Sequence, residues 1–157
     1  MFSIIAAIGK NNELGKKGQL VFHLKDDMKF FRETTTGHKV VMGHKTWNSL
    51  GGKLKNRTNI VVARENFAGP DLILSDLSDF ITKNQHTDEE IFIIGGAMLY
   101  NEMLRYANNI YLTEIDATDA DADTFFPKFD KKDYKTTVIK KDTENGIDYS
   151  IIKYIKK

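Results

Sequence analysis

The sequence predicts an α/β fold built around a mostly parallel β-sheet. Short, continuously apolar runs recur along the chain, and strands that are covered on both faces of a parallel sheet have this pattern. These runs lie at residues 4–8, 40–42, 60–62, 72–74 and 91–94. Patterns typical of helices lie at residues 25–35, 45–50, 77–84 and 97–105. The resulting order β-α-β-α-β-β-α-β-α-β predicts a sandwich with helices on both faces of the sheet.

The last third of the chain predicts strands without helices between them. Stretches typical of strands lie at residues 110–113, 135–140 and 148–155. Asn145-Gly146, between the last two stretches, is a strong signal for a type I′ turn, in which both central residues take positive φ. We therefore expect the last two strands to form an antiparallel hairpin, which makes the sheet mixed.

Length and composition predict one globular domain, residues 1–157. Domains usually have about 100–200 residues, and 41% of this chain is hydrophobic and 29% charged. The net charge of +1 argues against a general nucleic-acid-binding protein, which needs a large basic excess. The absence of cysteine excludes disulfides, thiolate metal sites and cysteine nucleophiles. Without a long apolar run or the charged start of a signal peptide, we expect a cytoplasmic protein.

Asp27 is the first candidate for a functional carboxylate. At about 100° per residue, the helix predicted at residues 25–35 has an apolar stripe made of Leu24, Met28, Phe31 and Thr35. Asp27 falls on the edge of this stripe and Asp26 on the far side, so we expect Asp27 to be half-buried and Asp26 to be solvated. The helix dipole favours the charged form of Asp27 and burial opposes it, a balance typical of functional sites. Since acids are common in the first turn of a helix, a purely local role stays open.

Gly95-Gly96 follows the apolar run at residues 91–94 and precedes a predicted helix. Two residues without side chains let the backbone approach a ligand closely, and N–H groups at the start of a helix attract phosphate. The dinucleotide fingerprint G-x-G-x-x-G is absent, so a tight strand-to-helix turn is the alternative.

A basic segment without any acidic residue extends from Thr34 to Arg64. Its cations are Lys39, Lys45, Lys53, Lys55, Arg57 and Arg64. In a chain of nearly neutral charge, such a local excess predicts an anionic small ligand, with an ordinary solvated surface as the alternative. Gly43-His44-Lys45-Thr46 resembles part of a phosphate-binding loop, but the upstream glycine is missing, which argues against ATP hydrolysis.

No part of the sequence predicts a metal site. The acidic run at residues 119–123 imitates the start of a calcium loop, but Thr124 occupies the position that needs glycine and Asp130 the position that needs glutamate. The four histidines show no metal-binding spacing. We interpret the acidic run as a surface loop.

Eight short motifs occur in an order and spacing that are together highly specific. They are Ile5-Ala6-Ala7, Leu14-Gly15, Leu24-x-x-Asp27-Met28-x-x-Phe31, Val41-Met42-Gly43-x-x-Thr46-Trp47-x-Ser49-Leu50-Gly51, Leu54-x-Asn56-Arg57-x-Asn59-Ile60, Ile93-Ile94-Gly95-Gly96-Ala97-x-x-Tyr100, Tyr111-Leu112-Thr113-x-Ile115 and Asp123-Thr124-x-Phe126-Pro127. With these motifs the chain resembles the dihydrofolate reductases, as a divergent member of the chromosomal bacterial type. The resemblance runs from Ser3 to the last strand and implies an eight-stranded sheet with a reversed C-terminal strand.

The resemblance implies the NADPH-dependent reduction of 7,8-dihydrofolate to 5,6,7,8-tetrahydrofolate, by hydride transfer to pterin C6 and protonation of N5. Two alternatives stay open: a pteridine- or dinucleotide-binding module without catalysis, and a reductase of another heterocycle on the same fold. We further expect a monomer that diaminopyrimidine antifolates inhibit and that binds neither nucleic acid nor membrane.

The resemblance also assigns residues to the substrate. Asp27 would bind the 2-amino group and N3 of the pterin with support from Thr113, and Phe22 would complete the catalytic set as an aromatic wall. Arg57 would bind the α-carboxylate of the glutamate, for which a planar two-pronged donor is suited. The other residues implied for the substrate site are Ile5, Ala6, Met28, Phe31, Ser49, Leu50, Leu54, Ile94 and Tyr100.

The cofactor, NADPH, is implied to lie along three segments of the chain. The residues are Ala7, Leu14, Gly15, Gly18, Gln19 and Leu20 in the first segment, Gly43, His44, Lys45, Thr46, Ala63 and Arg64 in the second, and Gly95, Gly96, Ala97, Met98, Leu99 and Tyr100 in the third. The Gly95-Gly96 bond is similar to one that is cis in the family. The loop from Leu14 to Leu24 is expected to close over the nicotinamide and exclude water.

Several positions depart from the family pattern, among them Lys53 and Lys55, which stand where prolines are frequent. Val21-Phe22 stands where Pro-Trp is usual, so an indole N–H that could order an active-site water is absent. His44 occupies a position often filled by arginine, and Met98 offers no charge near the cofactor. We therefore expect the cations Lys45 and Arg64 to determine the preference for NADPH over NADH.

Overall fold

The structure is a computed structural model that describes residues 1–157, the whole chain. The strands are β1 (Phe2–Ile8), β2 (Glu13–Lys16), β3 (Gln19–Leu20), β4 (Lys39–Gly43), β5 (Thr58–Val62), β6 (Leu72–Leu74), β7 (Ile91–Gly95), β8 (Ala107–Ile115), β9 (Thr124–Phe125), β10 (Tyr134–Glu144) and β11 (Ile147–Lys156). The helices are α1 (Lys25–Thr35), α2 (His44–Leu50), α3 (Leu77–Asn84) and α4 (Ala97–Met103), with 3-10 turns at Leu104–Tyr106 and Lys131–Asp133. All the predicted strands and helices are confirmed, and β2, β3 and β9 are additional.

Eight strands form one mixed sheet in the order β10-β11-β8-β1-β7-β4-β5-β6. Every neighbouring pair from β8 to β6 is parallel, and β11 is antiparallel to both β8 and β10. The eight-stranded sheet with a reversed C-terminal strand is therefore confirmed. Strand β7 is buried at every position, which explains why its sequence is apolar throughout instead of alternating.

Helices cover both faces of the sheet, as the sequence predicted. On one face, Leu77 of α3 and Met103 of α4 belong to the largest apolar cluster. On the other face, Phe31 of α1 and Trp47 of α2 pack against a second cluster of buried strand residues. The two clusters are separate because successive side chains of a strand point to opposite faces of the sheet. None of the four helices has the length and apolar character needed to cross a membrane.

A two-residue turn joins β10 to β11. Its residues, Asn145 and Gly146, have φ values of 51° and 79°, and both signs are those that a type I′ turn requires. The predicted antiparallel hairpin is therefore confirmed. Because β10 ends at Glu144, the turn also fixes Glu144 at the tip of the hairpin.

A small second sheet was not predicted. β2, β3 and β9 pair antiparallel in the order β3-β2-β9, where the sequence analysis expected only a loop. Strands of two to four residues are too short to show apolar periodicity, and both β3 and β9 are exposed along their length. This sheet ties the segment after β1 to the segment after β8.

Replacing Gly146 with alanine should destabilise the folded protein by about 1 kcal/mol, because a Cβ disfavours positive φ. A Cβ at this position would have no neighbour within 4 Å, so backbone strain is the only cost. Urea unfolding measures the change in free energy of unfolding. Asn145→Gly, which keeps positive φ accessible, is the control and should lose little; an equal loss in both variants would contradict the turn assignment.

Candidate active site

The predicted site residues meet at the carboxyl ends of the central parallel strands. β1, β7 and β4 are neighbours in the sheet, and Met42 of β4 pairs with Gly95 at the end of β7. Ligand sites of parallel sheets lie outside the carboxyl ends of their strands, where the connecting loops diverge. The loops that carry most of the predicted residues leave the sheet at this edge.

Asp27 and Thr113 form the central contact of this site. Thr113 in β8 donates a hydrogen bond of 2.5 Å from Oγ1 to Oδ1 of Asp27 in α1, 86 positions away in sequence. Asp27 is half-buried, and burial raises the pKa of its carboxyl group above the usual value. The hydrogen bond from Thr113 opposes this rise, and the negative charge of Glu144 adds to it. The predicted conflict between burial and charge at Asp27 is therefore present, and burial prevails.

The faces of α1 differ in part from the helical pattern. Met28 of the apolar stripe is 56% exposed, whereas Leu24 and Thr35 at the ends are buried. Asp26 is not simply solvated, because Tyr149 donates a hydrogen bond of 2.6 Å to its Oδ2. Helical periodicity shows which residues share a face but not what covers that face. Here the C-terminal hairpin reaches Asp26, and nothing covers Met28.

Four of the residues predicted for the substrate lie together on the α1 face of the sheet. Ile5 and Ile94 are buried in the second cluster, and Phe31 and Leu54 pack against it while partly exposed. Leu50, at the end of α2, is 37% exposed on the same face. Accessible apolar surface beside a half-buried carboxylate suits a flat, mainly apolar ligand with one polar edge.

Tyr100 is buried and holds the backbone of β1. Its hydroxyl donates a hydrogen bond of 2.7 Å to the carbonyl oxygen of Ile5. Burial raises the pKa of the Tyr100 hydroxyl well above its usual value and the charge of Asp27 adds to the rise, so the hydroxyl stays protonated. Since a carbonyl oxygen has two lone pairs, the Ile5 carbonyl keeps one for a ligand.

Arg57 is held in one orientation and has no acidic partner. Its guanidinium donates from Nη1 to Oγ1 of Thr35 at 3.1 Å and from Nε to the carbonyl of Lys55 at 2.9 Å. It lies 6.0 Å from the ring centre of Phe31. Burial lowers the pKa of Arg57, and the positive charge of Arg32 lowers it further. An oriented cation beside a second cation is suited to an anionic group of a ligand.

Asn59 was not assigned from the sequence, although it holds the loop that carries two of the predicted residues. Its buried side chain accepts a hydrogen bond from the N–H of Leu54 at 2.9 Å and donates one to the carbonyl of Leu54 at 2.9 Å. Its Nδ2 also donates to the carbonyl of Arg57 at 3.1 Å. Asn59 thereby fixes the loop that carries Leu54 and Arg57. The available signal was an asparagine in an apolar strand, because a buried amide must find partners.

Glycines form a shallow cradle between β4 and β7. The Gly95–Gly96 peptide bond is cis, as the resemblance implied. A Cβ at either residue would lie 3.4 Å from Oγ1 of Thr46, and at Gly95 also 3.4 Å from the Tyr100 hydroxyl. A Cβ at Gly43 would lie 3.9 Å from the backbone of the same two glycines. Side chains at these positions would fill the cradle, so their absence leaves room for a ligand against the backbone.

Cations without acidic partners lie near a cavity beside this cradle. The cavity has a volume of about 500 Å³ and is lined by His44 and residues 62–67. His44 stacks on Phe67 with ring centres 4.5 Å apart and planes 9° apart. Arg64 and Lys45 are exposed and form no ion pair. Free cations and a stacked ring pair suit the phosphates and the base of a dinucleotide.

The predicted basic segment is only partly free of acids. Lys39 pairs with Glu89 at 3.0 Å and Lys53 pairs with Asp71 at 2.5 Å. Folding brings these two acids from outside the segment, so the sequence could not show them. The cations of the segment that remain without an ion pair are Lys45, Lys55, Arg57 and Arg64.

The loop residues assigned to the cofactor differ in how far they are buried. The side chain of Leu14 is buried in the largest apolar cluster, so it is a core side chain, and a contact of Leu14 with the cofactor stays a prediction that depends on its backbone. Gly15 is enclosed, and a Cβ there would lie 2.7 Å from Oγ1 of Thr124. The exposed residues of the β2–β3 hairpin are Lys17, Gly18, Gln19 and Leu20. Only this tip of the hairpin is free to contact a ligand with its side chains.

The acidic run at residues 119–123 is more than the surface loop that we expected. The N–H of Lys17 donates to Oδ2 of Asp123 at 2.8 Å. Glu13, which is 1% exposed, accepts a hydrogen bond of 2.8 Å from the N–H of Asp119. These contacts bind the segment after β1 to the segment after β8. No group of three or more histidine, aspartate or glutamate side chains is placed to hold a metal ion.

Phe22 lies against the end of β1. Partly buried, it packs in a cluster with Ala7 and Ala117. Gly9 must be glycine here, because a Cβ would lie 2.7 Å from the Phe22 ring and 2.6 Å from Oε1 of Glu13. Phe22 therefore provides an apolar wall near Ala7 and no hydrogen-bond donor, as expected from the sequence.

The other predicted residues contribute less to the cleft. Ala6, Ala97 and Leu99 pack on the largest apolar cluster, on the face opposite to Asp27. The hydroxyl of Ser49 donates a hydrogen bond of 2.7 Å to the carbonyl of Thr46, so this proton is not available for a hydrogen bond to a ligand. Two residues predicted for the cofactor remain. Ala63 lines the cavity at His44, and Met98 is 89% exposed.

A second cavity, of about 520 Å³, contains none of the predicted residues. It lies behind the ends of β1 and β8 and is lined in part by residues 128, 129 and 131. Two ion pairs form part of its wall, Lys10 with Asp116 at 2.8 Å and Lys131 with Glu114 at 3.6 Å. Four of its charged side chains are thus paired with one another and Lys128 is exposed to solvent, whereas Asp27 is half-buried without a cation. The cleft around Asp27 is therefore the candidate active site.

Comparison with known proteins gives one consistent result. Residues 1–156 match the family model described as dihydrofolate reductase. The dihydrofolate reductase of Bacillus subtilis is 37% identical over 165 residues, which cover 100% of this chain and 95% of the relative. The dihydrofolate reductase of Haemophilus influenzae is 40% identical over 134 residues, which cover 85% of this chain and 83% of the relative.

A solved structure agrees with this result. It is the dihydrofolate reductase from Enterococcus faecalis complexed with NADP(H) and RAB-propyl. The TM-score is 0.86 at 27% sequence identity, and the alignment covers 99% of this chain and 96% of the other.

Replacing Asp27 with asparagine should stabilise the ligand-free protein at pH 7 by about 0.5–2 kcal/mol. Burial raises the pKa of Asp27, so the folded state keeps the proton to a higher pH than the unfolded chain. The ionised carboxyl group therefore costs stability above the unfolded-state pKa, and this cost is absent at lower pH. Chemical unfolding at pH 7 and at pH ~3.5 measures the difference, which should vanish at the lower pH.

Asp79→Asn is the matched control, because Asp79 is also a first-turn acid but is exposed and pairs with Lys83. It should not stabilise the protein. If Asp27→Asn destabilised the protein at pH 7, the conflict between burial and charge at Asp27 would be disproved.

Proposed function

The chain belongs to the dihydrofolate reductase family, and we propose that Asp27 is the carboxylate with which it binds the pterin ring of its substrate. The activity is the reduction of dihydrofolate by NADPH. The observation that carries the proposed role is the hydrogen bond between Thr113 and Asp27, which holds a half-buried carboxylate beside an apolar cluster. No cation neutralises this carboxylate.

Asp27 has acceptor capacity left for the ligand. A carboxylate accepts about four hydrogen bonds, and Thr113 uses one of them on Oδ1. The 2-amino group and N3 of a pterin present two N–H donors along one edge, which matches the two oxygens of a carboxylate. Hydrogen bonds to a charged acceptor in a half-buried place are strong, so Asp27 orients the ring as well as binding it.

Asp27 acts on the protonation of N5 through the ring and not by direct transfer. Its negative charge at the pyrimidine half makes the pterin more basic, and a water molecule brings the proton to N5. Phe22 supplies an apolar wall but no donor that could hold this water. The ordering of the water then falls to Asp27 and Thr113, the polar pair of this part of the cleft.

Arg57 binds the carboxylate at the other end of the substrate. Two of its five N–H donors bond to Thr35 and Lys55, which leaves three for a ligand. These two hydrogen bonds orient the guanidinium, so the side chain loses little further conformational entropy when a carboxylate binds. Between Asp27 and Arg57, the side chains of Phe31 and Leu54 provide the apolar surface for the middle of the molecule.

The glycine cradle between β4 and β7, and the part of the cleft near Lys45 and Arg64, fit NADPH. Gly43, Gly95 and Gly96 let a ligand approach the backbone, and Lys45 and Arg64 offer charges to its phosphates. The 2′-phosphate distinguishes NADPH from NADH, so free cations favour NADPH. When bound, NADPH supplies the hydride that reduces the pterin at C6. The chain must hold the two ring systems together and exclude water, and we expect the β2–β3 hairpin, whose tip is exposed, to close over them.

We also propose that residues 1–157 act as one domain and as a cytoplasmic monomer. The edge strand β10 supports a monomer, because Lys135, Lys140 and Lys141 and a bulge after Val138 oppose pairing with another chain.

Diaminopyrimidine antifolates are the expected inhibitors, since their N–H groups can donate hydrogen bonds to Asp27.

The reductase proposal predicts oxidation of NADPH, followed at the nicotinamide absorbance band, only when protein and dihydrofolate are both present. Asp27→Asn should lower kcat/KM at pH 7 roughly 100-fold and less in acid, where the substrate arrives protonated. Glu33→Gln, which removes an exposed carboxylate from the same helix, is the control. NADPH binding without oxidation would indicate a binding module, and insensitivity to diaminopyrimidines would indicate another heterocycle as substrate.

Replacing Arg57 with alanine should raise KM for dihydrofolate about 10- to 100-fold with little change in kcat, because hydrogen bonds to charged groups contribute about 1.5–3 kcal/mol. Arg57→Lys should restore only part of the affinity, since a point charge cannot bind both oxygens at once. Steady-state kinetics with a dihydropterin that lacks the glutamate supplies the control. An equal loss with that truncated substrate would exclude a contact between Arg57 and the carboxylate.

A further inference from the structure

The first turn of α1 has no cap from its own sequence. Helix N-termini expose backbone N–H groups that need acceptors, and serine, threonine, asparagine or aspartate usually supplies one. Leu24 occupies the cap position of α1 and has no side-chain acceptor. The N–H groups of Lys25 and Asp26 therefore depend on a residue from elsewhere in the chain.

Glu144, at the tip of the β10–β11 hairpin, supplies both acceptors. Its Oε2 accepts a hydrogen bond from the N–H of Lys25 at 2.8 Å, and its Oε1 accepts one from the N–H of Asp26 at 2.9 Å. The two partners lie 119 and 118 positions away in sequence. The two-residue turn at Asn145-Gly146 makes this possible, because a longer turn would move the end of the strand.

A second contact joins the same hairpin to the same helical turn. Tyr149 in β11 is 2% exposed and donates a hydrogen bond of 2.6 Å to Oδ2 of Asp26. Burial raises the pKa of the Tyr149 hydroxyl and the bond to Asp26 adds to the rise, so Tyr149 remains a donor at neutral pH. The hairpin thus holds both the backbone and a side chain of the first turn of α1.

Asp27 belongs to this turn and follows the clamped residues directly. Thr113 fixes one of its oxygens, but the direction of its Cα–Cβ bond depends on the helical turn itself. The clamp also brings the charge of Glu144 near, which adds to the raised pKa of Asp27. The other charged or titratable groups that face this turn are Asp26 on α1, Lys140 on β10, Asp142 on β10, Tyr149 on β11 and Tyr100 on α4.

We propose that Glu144 is a positioning residue for Asp27: it clamps the first turn of α1 from the C-terminal hairpin and places a second negative charge beside the pterin-binding carboxylate. The inference rests on the role proposed for Asp27. The clamp has two effects. One is geometric, through the two N–H groups, and the other is electrostatic, through the charge.

Two substitutions weight these effects differently. Glu144→Gln removes the charge and keeps the length of the side chain, but it retains only one of the two acceptor oxygens. Glu144→Asp keeps the charge and both acceptors and shortens the reach. Asp148→Asn is the matched control, because it removes a charge from the same hairpin at an exposed side chain that bonds only to Thr143. All three variants leave the Asn145-Gly146 turn intact.

The first measurement is the titration of the Asp27 carboxyl group in the ligand-free protein, followed by carbon-13 NMR. Removing a nearby negative charge favours ionisation, so the midpoint in Glu144→Gln should move to lower pH. The midpoint in Glu144→Asp and in Asp148→Asn should stay close to that of the wild type. The second measurement is KM for dihydrofolate, which should rise about fivefold in Glu144→Asp, the ratio that the loss of a helix cap predicts.

Two results would overturn the inference. An unchanged midpoint in Glu144→Gln would remove the electrostatic effect, and lower stability with an unchanged KM in Glu144→Asp would make Glu144 a structural cap only. The NMR titration needs no turnover, so it remains informative if the reductase assay fails. A shifted midpoint without NADPH oxidation would reject the proposed function while supporting the clamp.

Discussion

The hydrogen bond between Thr113 and Asp27 is the constraint on which the site depends. A buried carboxylate needs a partner, and the choice of partner decides what the group can still do. A lysine or arginine would neutralise the charge, whereas the single hydroxyl of Thr113 fixes one oxygen and leaves the charge in place. Asp27 is therefore held in one position but not satisfied, and a ligand with N–H donors completes its hydrogen bonding.

The sheet makes this arrangement possible through its register. Thr113 lies opposite Ala7 on the neighbouring strand β1, and the small side chain of Ala7 leaves space beside the carboxylate. At the substrate end, the buried amide of Asn59 holds the loop of Arg57 from inside the sheet. In both places a buried polar side chain of a strand orients a residue outside the sheet, so the core and the cleft share the same strands.

Sequence patterns were sufficient for the features that depend on neighbouring residues. Apolar runs predicted five of the eight strands of the sheet, strand-like stretches in the last third of the chain predicted the other three, and Asn145-Gly146 predicted the hairpin turn. They were not sufficient for contacts between distant residues. The cap from Glu144 and the pairing of Lys53 with Asp71 each depend on where folding brings a partner. The buried side chain of Leu14 has the same explanation, since a glycine beside it indicated only a loop.

The charges around the first turn of α1 explain why the site favours a ligand with N–H donors. Asp26, Asp27 and Glu144 bring three carboxylates together, and the nearest ammonium group, that of Lys140, lies 4.0 Å from Asp26. The positive end of the helix dipole and two backbone N–H groups stabilise this excess of negative charge without a buried cation. A buried cation would compete with the ligand for Asp27. The backbone N–H groups at the helix end are fixed in place and do not compete with the ligand. In the role proposed for Asp27, its hydrogen-bonding capacity is thus retained for the paired N–H donors of the substrate.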